Sequence, residues 1–130
     1  MKQREIKFRA WNAVHKIMRQ VDQITLNDAI WDLSKGYGVS IPFMSHVILM
    51  QFTGLHDKDG KEIYEGDVCD GHSDGYGKIE WTDFDGGYSY VFSDGNDIGI
   101  WEVLKEVTVI GNIYQNPELL EPAKEGGVKP

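Results

Sequence analysis

The sequence predicts an α+β fold that is predominantly β: a small antiparallel SH3-like β-barrel, an N-terminal β-hairpin region before it, and a short C-terminal helix. Three observations predict it. Several short segments alternate apolar and polar residues with period two, the pattern of half-buried strands. The 130 residues include 15 glycines, many in close clusters such as Gly36/Gly38, Gly71/Gly75/Gly77 and Gly86/Gly87, as tight antiparallel turns require. Helical stripes are few, and many short strands with turns between them make a barrel or sandwich. The length suits one domain. It is expected over residues 1–122, with a β region at about 1–55, a barrel at about 60–115, and a disordered tail at 123–130.

Ile6, Phe8 and Ala10 alternate with Lys7, Arg9 and Trp11. Asn12 then turns the chain, and Ile17, Met18 and Val21 resume an apolar rhythm, so a hairpin pairs about Ile6–Trp11 with Ile17–Gln20. Residues 22–45 allow two readings. Asn27 could cap a short helix (DAIWDLSK) ended by Gly36, or Ile24–Leu26 and Val39–Ile41 could be short strands before Pro42. Val47–Phe52 is a short apolar run with β-branched and aromatic members, read as a buried strand. Asp57-Lys58-Asp59-Gly60 is a turn, in which Asp bonds its own backbone and Gly60 supplies a positive φ.

Ile63–Tyr64 restarts a strand, Gly66-Asp67 punctuates it, and Val68 begins the next. Gly77–Thr82 places Ile79 and Trp81 on one face and Lys78 and Glu80 on the other. Tyr88, Tyr90 and Phe92 alternate with Ser89 and Val91, across a hairpin loop at Asp83–Gly87. Trp101–Leu104 and Glu106–Ile113 read as further strand, giving about five strands between Ile63 and Ile113. Asn116-Pro117-Glu118 has the signals of a helix start, and Pro122 keeps that helix short.

The net charge of −8 is unevenly spread. Residues 1–20 hold six basic residues (Lys2, Arg4, Lys7, Arg9, Lys16, Arg19) against Glu5, and the other 110 hold seven basic against twenty acidic. An acidic body repels phosphate, which disfavours broad nucleic-acid binding. The basic start is better matched to acidic surface of its own kind, including that of a neighbouring subunit. Cys69 is the one cysteine, so no intramolecular disulfide forms. No apolar run reaches the roughly 18 residues of a membrane span. The opening MKQREIKFRAW has charge but no signal-peptide core, so a cytoplasmic location is expected.

Five patterns invite chemistry. Gly71-His72-Ser73-Asp74-Gly75 spells G-x-S-x-G, but a nucleophile elbow needs a strand before the serine and a helix after it, and here a strand follows. Asp57-x-Asp59-Gly60…Glu65 resembles part of a calcium loop, yet Gly60 stands too early and Lys61 fills a ligand position. Cys69-x-x-His72 is half a zinc pattern, with His15, His46 and His56 far away in sequence. Asp67, Asp70, Asp74, Glu80, Asp83 and Asp85 form an acidic zone that could hold a divalent cation, though Asp is also a turn residue. Trp11, Trp31, Trp81 and Trp101, with six tyrosines and five phenylalanines, could stack bases, though a small barrel more often buries them. None of these is assigned as a catalytic, cofactor-binding or metal residue.

Three segments carry a family likeness. REIKFRAWN at Arg4–Asn12, LMQFTGLHDKDGKEIYEGDV at Leu49–Val68 and VIGNIYQNPELLE at Val109–Glu121 resemble the YopX family of phage and prophage proteins. The resemblance implies a phage or prophage setting and an α+β fold with a dominant barrel, supplies no catalytic residues, and is compatible with oligomeric assembly. The expectation is therefore a non-enzymatic phage or prophage accessory protein without a cofactor. It would act by self-assembly as a homo-oligomer or by contact with a phage or host protein. The alternatives are a single-stranded nucleic-acid binder using barrel aromatics and a metal-dependent enzyme using the acidic zone.

Overall fold

A computed structural model describes residues 5–24, 30–32, 39–41, 47–84 and 86–120. These are predominantly β, in antiparallel sheets with a curled half-barrel and very little helix. The chain forms two compact units, Met1–Leu55 and His56–Pro130.

In the first unit, β1 (Phe8–Asn12) is flanked by β2 (Ile17–Val21) on one side. The other neighbour is a long strand, Val47–His56, that begins in this unit. The register explains the core. Phe8 lies opposite Val21, and Ala10 lies opposite Leu49. Directly paired residues project to the same face, and Phe8, Ala10, Val21, Val47 and Leu49 pack as one cluster. Strict alternation fails here in one respect. Trp11, expected on the solvent side, is 6% exposed beside Ala10 at 1%. Met50, paired with Arg9 and so on the same face as Trp11, is buried as well, so this second face is partly covered too. Ile6, expected to point inward, precedes the strand and is exposed.

Between these strands the chain makes β3 (Gln23–Ile24), β4 (Ile30–Asp32) and β5 (Val39–Ile41), paired in that order. The alternative helix from Asn27 is overturned at Ile30–Asp32, where β-formers take ladder partners on both sides. Asn27, the flanking parts of that segment, and Pro42 lie outside the described residues. With these strands placed, Val47–His56 is β6.

The second unit holds β7 (Glu62–Tyr64), β8 (Asp67–Asp70), β9 (Gly77–Thr82), β10 (Gly87–Phe92), β11 (Asp97–Gly99) and β12 (Thr108–Asn112). Five of them form one antiparallel sheet in the order β11-β10-β9-β8-β12. Strands β8 to β11 follow one another as a meander, and β12 returns to pair with β8. The β12 ladder slips between Val109 and Gly111, so Ile110 is the extra residue of a bulge and is partly exposed. Ile63, Val68, Ile79, Tyr90, Ile100, Val103 and Val107 are buried. Each fully buried aliphatic or aromatic side chain of this size contributes roughly 1.5–3 kcal/mol.

Two expected elements differ. Trp101–Leu104 is not a strand: Ile100–Glu102 is a 3-10 turn, continued by turns to Glu106. The buried residues Ile100, Val103 and Val107 recur at intervals of three and four, a helical spacing. The expected C-terminal helix is, over the described residues, a single 3-10 turn at Pro117–Leu120. Its intended cap, Asn116, faces backward and accepts a bond from the Asn112 N–H at 3.2 Å. The tail 123–130 lies outside the described residues. No helix of the described residues is long and apolar enough to cross a membrane.

Candidate functional site

The segment joining β6 to β7 turns on Asp57. Its Oδ1 accepts the Asp59 and Lys61 N–H groups, each at 2.9 Å. Its Oδ2 accepts the Val109 N–H at 2.9 Å, across 52 residues. The backbone closes the same turn, Asp57 N–H to the Lys61 carbonyl and Gly60 N–H to the Asp57 carbonyl. Gly60 sits at φ +88°, the left-handed conformation the sequence requires of it. Burial pushes the Asp57 carboxyl up. The N–H groups of Val109, Lys61 and Asp59, with the Lys61 charge, outweigh it and hold the carboxyl below its usual range. Asp57 is thus spent on backbone donors.

The turn also guards a sheet edge. Strand β12 ends the five-stranded sheet, and an edge strand offers unpaired backbone groups to other chains. Here Asp57 takes the Val109 N–H and Lys58 N–H donates to the Val107 carbonyl, while on the β8 side Ile113 N–H donates to the Gly66 carbonyl and extends the β12–β8 ladder by one pair. Asp67, buried, accepts the Tyr64 N–H at 2.8 Å. At the far end of β12, Asn112 Oδ1 accepts the Tyr114 and Gln115 N–H groups.

Residues 71–75 form the loop between β8 and β9. Gly75 N–H returns to the His72 carbonyl, and Asp74 N–H donates to His72 Nδ1 at 3.1 Å. The element after Ser73 is β9, not a helix, so the elbow is not formed. The loop is anchored from beneath by Tyr90, whose hydroxyl lies 3.1 Å from the Cys69 carbonyl and 2.9 Å from that of Gly75. Burial first, then Cys69 and Asp70, push that hydroxyl well above the usual tyrosine range, so it stays a donor. Cys69 is fully buried, and burial with the nearby Asp67 and Asp57 charges pushes its thiol up to about 12. Such a thiol is neither a nucleophile nor a ready metal ligand.

The acidic zone is not one cluster. Asp67 serves Tyr64, Asp70 accepts the Gly71 N–H, Glu80 pairs with Lys78 at 3.1 Å, and Asp83 accepts the Trp81 indole N–H at 3.0 Å. Asp85 lies outside the described residues. Among the described residues, no three His, Cys, Asp or Glu gather as a metal site.

The aromatic residues divide by position along the hairpin β9–β10. Ile79 pairs with Tyr90 over the core. One pair further out, Trp81 opposes Tyr88, with ring centroids 5.1 Å apart and edge-on. That pair has passed the end of the core: Trp81 is 46% exposed, and Phe84 at the tip is 100% exposed. Trp101, on a different element, is also exposed. Sequence pattern placed Trp81 on the core face correctly but not beyond the core's end. The signal was local, since Glu80 and Asp83 flank it.

The YopX protein family matches residues 7–121. The chain belongs to this family. Two solved structures are similar over nearly the whole chain. Protein EF1440 from Enterococcus faecalis is 29% identical, with a TM-score of 0.67, covering 92% of this chain and 100% of its own. Protein yopX from Bacillus subtilis is 24% identical, with a TM-score of 0.59, covering 91% and 98%, a likeness of fold. No curated protein matches the chain. The matched span includes the turn residues Asn12, Asp57, Gly60, Asp67, Asn112 and Asn116. Asn12 accepts the Val14 and His15 N–H groups.

Proposed function

We propose that this YopX-family chain is a non-enzymatic accessory protein of a phage or prophage, working in the host cytoplasm by self-association into a homo-oligomer. One observation carries the reading. Asn12, Asp57, Asp67 and Asn112 are engaged in holding turns, while Trp81 and Phe84 stand exposed on one hairpin, β9–β10, with Trp101, Ile6 and Val14 exposed elsewhere. Exposed aromatic clusters of this kind mark contact surfaces more often than chemistry. The basic first twenty residues and the acidic remainder supply complementary charge between copies. In this reading the five-stranded sheet is the SH3-like barrel, and a phage or host protein is the other class of partner it would meet. Light scattering after gel filtration tests it. Association at high protein concentration and low salt is the expected result, and a monomer under those conditions would refute self-association.

A further inference from the structure

The hairpin tip has a composition that selects its ligand. From Glu80 to Tyr88 the sequence is EWTDFDGGY, three acids interleaved with three aromatics. The structure places two of the rings together: Tyr88 sits edge-on to Trp81, and Asp83 receives the Trp81 indole N–H. The Trp81 side chain is therefore fixed from two sides while 46% of the residue stays open, and Phe84, three residues on in the same hairpin loop, is fully open. An aromatic face attracts a cation, tryptophan most strongly. A carboxylate that gives one oxygen to an indole has a second to offer an ammonium or guanidinium. The same carboxylates repel phosphate. A bare apolar patch would accept many partners. This one favours an apolar segment carrying Lys or Arg.

The chain itself contains such a segment. Its first nine residues, MKQREIKFR, hold four cations, one acid, an isoleucine and a phenylalanine. Lys7 is already engaged, 3.5 Å from Glu5 and 5.2 Å over the Phe52 ring. We propose that Lys2 and Arg4 of one copy dock on the Trp81–Asp83–Phe84 tip of a second copy. The proposal rests on the self-association reading and names the surface and the chemistry that carry it.

Two measurements test it. The first is sedimentation velocity at ~50 mM salt, where charge is weakly screened, on wild type, Phe84→Ser and the Lys2→Glu/Arg4→Glu variant. Phe84 is wholly exposed, so its replacement leaves the fold intact. Either change should weaken association about tenfold, an interface hot-spot effect, and combining them should add little, because they remove the same contact. Undiminished association in both variants would overturn the docking surface while leaving self-association standing. The second is titration of the MKQREIKFR peptide into the full chain, followed by tryptophan emission. The expected change in emission is lost in Trp81→Phe and weakened in Phe84→Ser. If the wild type proves monomeric, the self-association reading falls on its own. Phe84-dependent peptide binding then upholds the site chemistry, and failure of the peptide to bind overturns it.

Discussion

Replacing Asp57 with asparagine separates a structural aspartate from a catalytic or metal-binding one. The side chain keeps its shape and one carbonyl oxygen, which can still accept the Asp59 and Lys61 N–H groups. Its new amide nitrogen must face the Val109 N–H, donor against donor. A hydrogen bond to a charged acceptor contributes about 1.5–3 kcal/mol, and the other two bonds lose their charge assistance. The sum is about 3 kcal/mol, which for a chain of this length lowers Tm by about 10 °C. The effect depends on pH with a defined sign. The folded carboxyl titrates below its ordinary value of 3.8. Its stabilisation is present above that value and is lost as pH falls through the folded one. Asparagine does not titrate, so the gap between wild type and Asp57→Asn is widest near neutrality and closes below about pH 4. Thermal melts followed by circular dichroism at several pH values measure this. Hydrogen exchange at the Val109 amide should lose protection in the same variant. A Tm within about 2 °C of wild type, or a gap that persists undiminished into acid, would refute the account.

Two further outcomes follow from the same geometry. Gly71→Ala should destabilise more than most surface-loop changes. The added methyl would meet the Glu106 carbonyl, and φ is +124°, so neither backbone can yield easily. A melt that matches wild type would show that the 71–75 loop is not seated on Glu106. Cys69 should resist a thiol reagent near pH 8 while the protein is folded and react fully in denaturant, since its thiol titrates at about 12 inside the core. Rapid labelling of the native protein would place Cys69 outside that core.

The sheet-forming segments were readable because period two is a local property. Ile79 with Trp81, and Phe8 with Ala10, announce a face without knowledge of their partners. What alternation cannot supply is the number of covered faces. Trp11 is buried on the second face of β1, with Met50, a matter of tertiary packing that alternation does not encode. Nor does it say where a core ends. Trp81 lies on the predicted face yet one pair past the buried Ile79. The stretch from Ile100 to Val107 misled for a different reason. Its apolar residues fit a strand by composition, but the buried subset keeps a spacing of three and four. The turn at Asp57 was legible as a turn, since Asp and Gly carry local conformational signals. Its bond to Val109 was not, because a contact across 52 residues leaves no local trace.

That long bond also bears on why the second family segment is so extended. A turn needs about four residues, yet the stretch from Leu49 to Val68, which resembles the family in sequence, is much longer. In the structure this block does three jobs at separate points. It turns at Asp57–Gly60, it covers the outer edge of β12 through Asp57 and Lys58, and it turns again at Gly66-Asp67, where Gly66 N–H bonds the Ile79 carbonyl and Ile113 N–H bonds the Gly66 carbonyl. The third block supplies the other side of those contacts, with Val109, Asn112 and Ile113. Two segments far apart in sequence are thus tied around β12, through the Asp57 carboxylate and the Lys58 N–H on its outer side and through Gly66 on its β8 side. An edge covered this way is closed to strand addition. On the same sheet, at the β9–β10 hairpin tip, Trp81 and Phe84 stand open.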